Sequence, residues 1–388
     1  MKHEPLRIAV LTSFPRDPYR PNGGVEAVSV NLVQALTRVS GLEVHVVTSE
    51  GASELEGTSS WANATIHRLP RGSGSLLLQA VGRMRRQIQE YLRELKPDVV
   101  HAHDTYGIMV KGAPWPRVFT VHGFIHEDTR YAGGRGSWLR SKLWQLVETS
   151  SWGDQPHIVS ISPYVRERLR GIARGVIHDI ENPIARECFE VHRDEQPDTI
   201  FCAASICKRK NTLGLLEAFD RLARTNTQAQ LRWAGPATEP EYEKSVRHFI
   251  EKNALSSRVT LLGVLSTEQV RRELAQASVF ALVSFEEGAP MGIAEAMAAG
   301  VPVITSNRCG MPYMFRHAES GFLVNPCDPT EIAECLKQLL DDASIRKSVA
   351  ERARQVALDC FHPDRVAERT VRVYQRVASG HEMAQQRH

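Results

Sequence analysis

Apolar residues fall in short runs, separated by longer stretches where they recur every three or four positions. The short runs predict strands at Arg7–Thr12, Glu43–Thr48, Thr65–Leu69, Val99–His101, Val118–Val121 and His157–Ser160. Between the first two, Val25, Val28, Leu32, Leu36 and Val39 share one helical face. Strands alternating with helices predict a parallel sheet covered on both faces. The turn signal Glu181-Asn182-Pro183 closes this series. The pattern then restarts, with strands expected at Thr199–Ala204, Gln230–Ala234, Val259–Leu262, Val279–Val283, Val301–Thr305 and Gly321–Val324. Helices are expected at Leu213–Arg224, Glu241–Asn253, Thr267–Ala275, Gly292–Ala299 and Thr330–Asp341. The reading is therefore α/β, with one domain over 1–183 and a second over 184–362. A last helix over 363–380 is expected to pack back on the first domain.

Composition narrows the class. A chain of 388 residues exceeds one ordinary core. With 42% hydrophobic and 24% charged residues it reads as soluble and globular. No apolar run approaches bilayer length, and Met1 to Ser13 lacks the order of a secretory signal. The seven cysteines, from Cys188 to Cys360, are odd in number and form no C-x-x-C pair. That suits reduced thiols in a cytoplasmic protein. A net charge of +3 argues against nucleic acid as partner. The charge is uneven: 22 Lys and Arg stand against 18 Asp and Glu up to Glu181, and 26 against 27 beyond it.

Parallel sheets bind ligands beyond the carboxyl ends of their strands, and the distinctive residues lie there. The segment Val279–Val303 reads as strand, loop and helix. Its loop holds Glu286, Glu287, Gly288, Ala289 and Pro290; its helix begins near Met291 and stops at Gly300. The first helical turn offers amide N–H groups and the positive dipole end to an anion such as a phosphate. Gly288 and Gly292 would let backbone approach that ligand. Glu295, one turn in, suits the cis-diol of a ribose, and Glu287 suits sugar hydroxyls. The plainer account is a solvated acidic loop and a helix-surface Glu.

This segment resembles the retaining nucleotide-sugar glycosyltransferases of glycosyltransferase family 4. Other stretches agree with that family in order along nearly the whole chain: Asn22-Gly23-Gly24-Val25-Glu26, Asp98-Val99-Val100-His101-Ala102-His103, Thr120-Val121-His122-Gly123 and Ile161-Ser162-Pro163. Asn182-Pro183, Trp233-Ala234-Gly235-Pro236 and Gly321-Phe322-Leu323-Val324 follow.

The resemblance implies the GT-B fold, two Rossmann-like doubly wound domains facing across a cleft. It implies transfer of a sugar from a nucleotide-diphosphate donor, with a UDP-sugar favoured, to a hydroxyl acceptor. It also implies retention of anomeric configuration with no metal and no further cofactor; no D-x-D stands in a metal-suited loop. Gly23 and Gly24 would face the diphosphate from the first domain, and His122 would contact the donor sugar or orient the acceptor. Lys210 falls on the family's phosphate-neutralising Lys, whereas Ser205 stands where the family has an Arg; Lys208 or Arg209 would have to reach in. Catalytic roles thus fall to His122, Lys210 and Glu287. Donor contacts fall to Gly23, Gly24, Ser205, Arg209, Lys210, Glu287, Gly288, Ala289, Pro290, Met291, Gly292 and Glu295, with base recognition by backbone around Gly263 and Val264. Cys309 and Tyr313 replace a Gly and a Glu that the family often shows. His101 and His103 read as local packing on one strand face.

Two alternatives stay open: a nucleotide-sugar 2-epimerase of the same fold, and a non-catalytic sugar-nucleotide-binding subunit. One pattern lies outside all of these. Arg71, Arg83, Arg85, Arg86, Arg130, Arg135, Arg140 and Lys142 cluster in the first half, interleaved with Leu76–Leu78, Val81, Trp138, Leu139, Leu143 and Trp144. Such segments suit peripheral contact with an anionic membrane, or an ordinary solvated helix face.

Overall fold

A computed structural model describes residues 4–51, 57–72, 74–132, 134 and 136–385. Arg135 of the basic cluster lies outside them, as does Ser73 of the run Gly72-Ser73-Gly74-Ser75, whose composition reads as a short flexible loop. The chain divides into two compact units, Met1–Pro183 with Pro363–His388, and Ile184–His362.

In chain order the first unit runs β1 (Leu6–Leu11), α1 (Gly24–Leu36), β2 (Leu42–Gly51), β3 (Gly57–Trp61), β4 (Ala64–Pro70), α2 (Leu76–Val81) and α3 (Arg83–Leu95). It continues with β5 (Val99–His103), α4 (Thr105–Met109), β6 (Arg117–Val121), α5 (Ile125–Ala132), α6 (Ser137–Trp152), β7 (His157–Ser160), α7 (Pro163–Leu169) and β8 (Val176–Asp179). The sheet order is β3-β4-β2-β1-β5-β6-β7-β8. Every pair is parallel except the edge hairpin β3–β4. β5 and β6 are buried at every position, as expected of strands covered on both faces.

The second unit holds β9 (Thr199–Ala203), α8 (Thr212–Ala223), β10 (Gln230–Ala234), α9 (Pro240–Lys252), β11 (Val259–Gly263), α10 (Thr267–Gln276) and β12 (Val279–Leu282). Then come α11 (Met291–Ala298), β13 (Val303–Ser306), β14 (Phe322–Val324), α12 (Pro329–Asp341) and α13 (Ala343–Cys360). Its order is β11-β10-β9-β12-β13-β14, all parallel. This is the doubly wound dinucleotide-binding order. Trp233, Phe201, Phe219 and Phe280 are the largest side chains of its core. The final helix α14 (Pro363–Gln385) belongs to the first unit, where Tyr374 and Val366 join the core with residues of α1.

Some elements differ from the sequence reading. β3, β8 and α13 were not expected. The strand expected from Val301 starts two residues later, because Gly300 (φ 70°) and Pro302 still turn the chain. The basic stretch after Leu76 is two helices: they break at Gly82, where a Cβ would meet the carbonyl of Leu78 at 2.8 Å.

Candidate active site

In a doubly wound sheet the ligand crevice opens where the strand order reverses. In the second unit that point lies between β9 and β12. The loop after β9 carries Ser205, Arg209 and Lys210; the loop after β12 carries Glu287–Pro290 and leads into α11. The topology therefore gathers most of the expected donor residues at one place.

Glu287 is 8% exposed, and its carboxylate takes an ion pair from Lys210. Arg209 adds a second cation, with Nη1 3.4 Å from Glu287 Oε2, and donates to the carbonyl of Glu286 at 3.0 Å. Burial pushes the Glu287 carboxyl up, but Lys210 and Arg209 outweigh it and hold the group below its ordinary range. The two loops are thus joined by charge, and backbone adds to it: Phe285 N–H donates to the carbonyl of Arg209 at 2.9 Å. Arg209 thus lies beside Glu287, on the same loop after β9 as Ser205.

Asn211 fixes the cationic turn. It sits at φ 56° with its side chain buried, and Nδ2 donates to the carbonyls of Val283 (3.1 Å) and Pro326 (2.7 Å). A left-handed Asn is tolerated where other residues are strained. This residue was missed in the sequence, where it reads as the end of a solvated turn.

The helix α11 begins after Pro290 with no side chain capping it. Of its first-turn amides Ile293 N–H donates back to the carbonyl of Pro290 at 3.2 Å, and the dipole end there favours an anion. Gly292 has a packing role that the sequence reading did not include. A Cβ there would meet Phe280 Cζ at 3.1 Å and the carbonyl of Ala203 at 3.3 Å, so its missing side chain serves helix–strand packing. Glu295 lies one turn on and is partly buried. Burial raises its carboxyl and Arg271 opposes the shift.

A third loop supports the second. Gly310 N–H donates to the carbonyl of Glu287 at 2.8 Å. A Cβ on Gly310 would lie 1.7 Å from the carbonyl oxygen of Gly288, so any side chain there must displace the Glu287–Gly288 backbone. Cys309, at the position where the family often has Gly, has φ 54°. Tyr313 is 57% exposed. At the far side of β9, Gly235 has φ 145° and a Cβ would overlap the carbonyl of Ala204 at 2.1 Å. Its N–H donates to the carbonyl of Gly263 at 2.8 Å. Gly235, just after β10, thus lies between Ser205 after β9 and Gly263 at the end of β11, and Val264 beyond is 72% exposed.

The first unit presents its own constellation after β1, β5 and β6. Gly23 opens α1 at φ 109° with no atom within 4 Å of a Cβ, so backbone there is open to approach. His122 Nε2 lies 2.7 Å from His103 Nδ1, and the rings stack at 5.0 Å. His101 bonds Tyr374 Oη at 2.6 Å and Thr120 Oγ1 at 2.7 Å. Burial lowers His122 to about 4 and His101 to about 3, and lowers His103 well below its ordinary value. The three imidazoles are neutral at pH 7. A small cavity lined by His101, His103, His122, Asn182 and Thr370 adjoins them. Asp104, missed in the sequence, holds this loop: Oδ1 accepts from the N–H of His122 at 2.9 Å. It has φ 44°, and burial lifts its carboxyl to about 7 against the pull of the His122 and Gly123 amides. Its signal was an acidic residue directly after a buried strand, overshadowed by the two histidines before it.

Comparisons with known proteins bear on the family and the fold. Residues 22–187 match the model of Glycosyltransferase Family 4, and residues 185–356 match that of Glycosyl transferases group 1. The two matches adjoin and take in most of the chain, which belongs to the family-4 type of glycosyltransferase. The chain is 28% identical to N-acetyl-alpha-D-glucosaminyl L-malate synthase of Bacillus anthracis over 167 residues, 43% of this chain and 42% of that protein. Its fold is that of sucrose-phosphate synthase from Thermosynechococcus elongatus, with TM-score 0.81 at 18% identity, over 97% of this chain and 100% of that one. HepE of Anabaena, solved in complex with UDP-glucose, matches with TM-score 0.71 at 16% identity over 97% and 99% of the two chains. The fold is GT-B, and the chain is a glycosyltransferase; the epimerase alternative is not favoured. Among the described residues no helix is long and apolar enough to cross a membrane.

Proposed function

We propose that the chain transfers a sugar from a nucleoside diphosphate sugar to a hydroxyl acceptor, with retention and without a metal ion. The observation that carries this is the Lys210–Glu287–Arg209 cluster at the β9/β12 switch point, beside the uncapped start of α11. A lysine ammonium has three donors, so Lys210 keeps Glu287 while reaching a phosphate oxygen. Arg209 and the α11 amides add donors where the leaving diphosphate gains charge. Glu287 accepts from hydroxyls of the donor sugar, and Glu295 from the ribose diol. Backbone at Gly263 and Val264 reads the base.

In the reaction the anomeric carbon–phosphate oxygen bond breaks and the acceptor oxygen bonds to the same face of that carbon. The acceptor proton passes to the released diphosphate. His122, neutral and held by Asp104 and His103, orients sugar or acceptor by hydrogen bonding and carries no charge into the step. UDP is the favoured carrier, on the strength of the UDP-glucose bound by HepE.

The test is a thermal-shift panel of UDP-, GDP-, ADP- and dTDP-sugars in EDTA, followed by NMR of the product anomer. One nucleotide sugar is expected to raise the melting temperature, and Glu295→Ala to abolish that rise. Indifference to every donor would sink the reading, as would a strict need for a divalent ion sink its metal-free part. Ser205, in place of the family's Arg, favours a second reading as a binding subunit; selective donor binding with no transfer to any hydroxyl acceptor would establish it.

A further inference from the structure

Helix α6 shows an unusual division of its surface. Ser141, Trp144, Glu148 and Ser151 face inward. The opposite face presents Trp138 (68% exposed), Leu139 (57%), Leu143 (44%) and Leu146 (67%) to solvent. Single exposed leucines are ordinary. Four large apolar side chains on one helix face are not, and they account for much of the exposed apolar bulk among the described residues.

Exposed charge along α6 and the stretch just before it has one sign. Between Asp128 and Glu148 the sequence holds Arg130, Arg135, Arg140 and Lys142 and no acidic residue. Arg130, Arg140 and Lys142 are exposed. Glu148 at the end of the run is turned inward: its carboxylate accepts from the N–H groups of Ile125 and His126 and bonds the His126 ring at 2.8 Å. The one nearby carboxylate on α6 is thus spent joining α5 to α6.

A second patch extends the first. On α2, Leu78 is 70% and Val81 44% exposed, next to exposed Arg83 and Arg86. α4 packs against α2, α3 and α6. Lys111, just after α4, accepts from Arg85 of α3 through its carbonyl at 2.6 Å and donates to Ser150 of α6. The two patches therefore belong to one layer of helices.

We propose that this layer docks on an anionic lipid surface, with the α6 side chains in the interfacial region and the cations against the headgroups. Amphipathic helices with Trp and Leu on one face and Lys or Arg at its margins bind in this way. The exposed charges of α3 are mixed, with Glu90 and Glu94 beside Arg86 and Arg93, so the α6 face leads: there an anionic bilayer answers both the apolar side chains and the cations beside them.

The test is co-flotation of the full chain with vesicles of phosphatidylcholine and phosphatidylglycerol, against vesicles of phosphatidylcholine alone. Binding is expected to the anionic vesicles only, to weaken as salt rises, and to shift Trp138 emission to the blue, a shift lost in Trp138→Phe. Leu139→Ser with Leu146→Ser is expected to abolish flotation while keeping the melting temperature. Arg140→Gln with Lys142→Gln, at exposed positions that fold on either outcome, is expected to lower partitioning about 25-fold, at about fivefold per cation. No flotation with anionic vesicles overturns the proposal, as does flotation that neither pair of substitutions reduces. It is also overturned if light scattering finds a dimer that the serine pair dissociates and no vesicle binding; the face would then join two copies of the chain.

Discussion

Replacing Lys210 removes a cation from a buried carboxylate as well as from any phosphate docked beside it. The two losses are separable. Breaking a buried pair by deleting one partner costs about 3–5 kcal/mol, and less where a second cation remains; Arg209 at 3.4 Å is such a cation. Lys210→Ala is therefore expected to lower stability by about 2 kcal/mol and turnover about 10²–10³-fold, the usual loss for a donor aimed at developing charge. Adding Glu287→Gln removes the stranded carboxylate. The double variant is expected to regain most of the stability and none of the turnover. Denaturant melts and initial rates on the cycle check this; recovery of rate together with stability would mean that Lys210 serves only the fold.

At the scale of elements, the site rests on three loops that touch through backbone. Gly310→Ala tests that dependence, since its Cβ would overlap the carbonyl of Gly288 at 1.7 Å. Overpacking of this kind costs about 1–3 kcal/mol. The displaced Glu287–Gly288 backbone is expected to raise the donor KM at least about tenfold, as one misplaced contact of about 1.4 kcal/mol does. Unchanged donor KM with lowered stability would detach the 310 loop from the site. The reading of elements from sequence succeeded where apolar runs were long and β-branched, as in Val118–Val121, and failed where burial used small residues. α13 buries Val349, Ala350, Ala353 and Ala357, a helical spacing carried mostly by alanines, whose contrast with their neighbours is weak. β3 pairs with β4 through Ala62 and Asn63 at φ 48° and 65°, and nothing about Ala62 announces a left-handed turn. The site was legible through its glycines, its cations and Glu287, because the strand ends are local in sequence. Asp104 and Asn211 were not, because their bonds reach 18 and 72 residues along the chain.

At the scale of the whole molecule, the two units differ in what acid does to them. His67, His101, His103, His122, His157 and His178 are all lowered, chiefly by burial, and all lie in the first unit. A histidine whose folded value lies below its unfolded 6.5 binds its proton more readily when unfolded. Its contribution is fully present above pH 6.5 and is lost as pH falls toward the folded value, about 4 for His67 and His122. Asp104, raised to about 7, works the other way, since the folded state holds its proton first. One carboxyl does not offset several imidazoles over this window. In the second unit the raised carboxyl of Glu295 favours the folded state on acidification, and the lowered carboxyl of Glu287 opposes it only once pH falls below its ordinary 4.5. Calorimetry is therefore expected to show two transitions that separate between neutral pH and about pH 5, the first unit falling by about 5 °C more than the second. His101→Gln keeps an acceptor and a donor for Tyr374 and Thr120 while removing one titrating ring, and is expected to narrow the separation. Transitions that fall together, or a gap that His101→Gln leaves untouched, would place the acid sensitivity elsewhere. The difference matters for function because His122 and Asp104 stand on the acid-sensitive unit, whereas Lys210 and Glu287 stand on the other. Mild acid should then weaken turnover before it weakens donor binding.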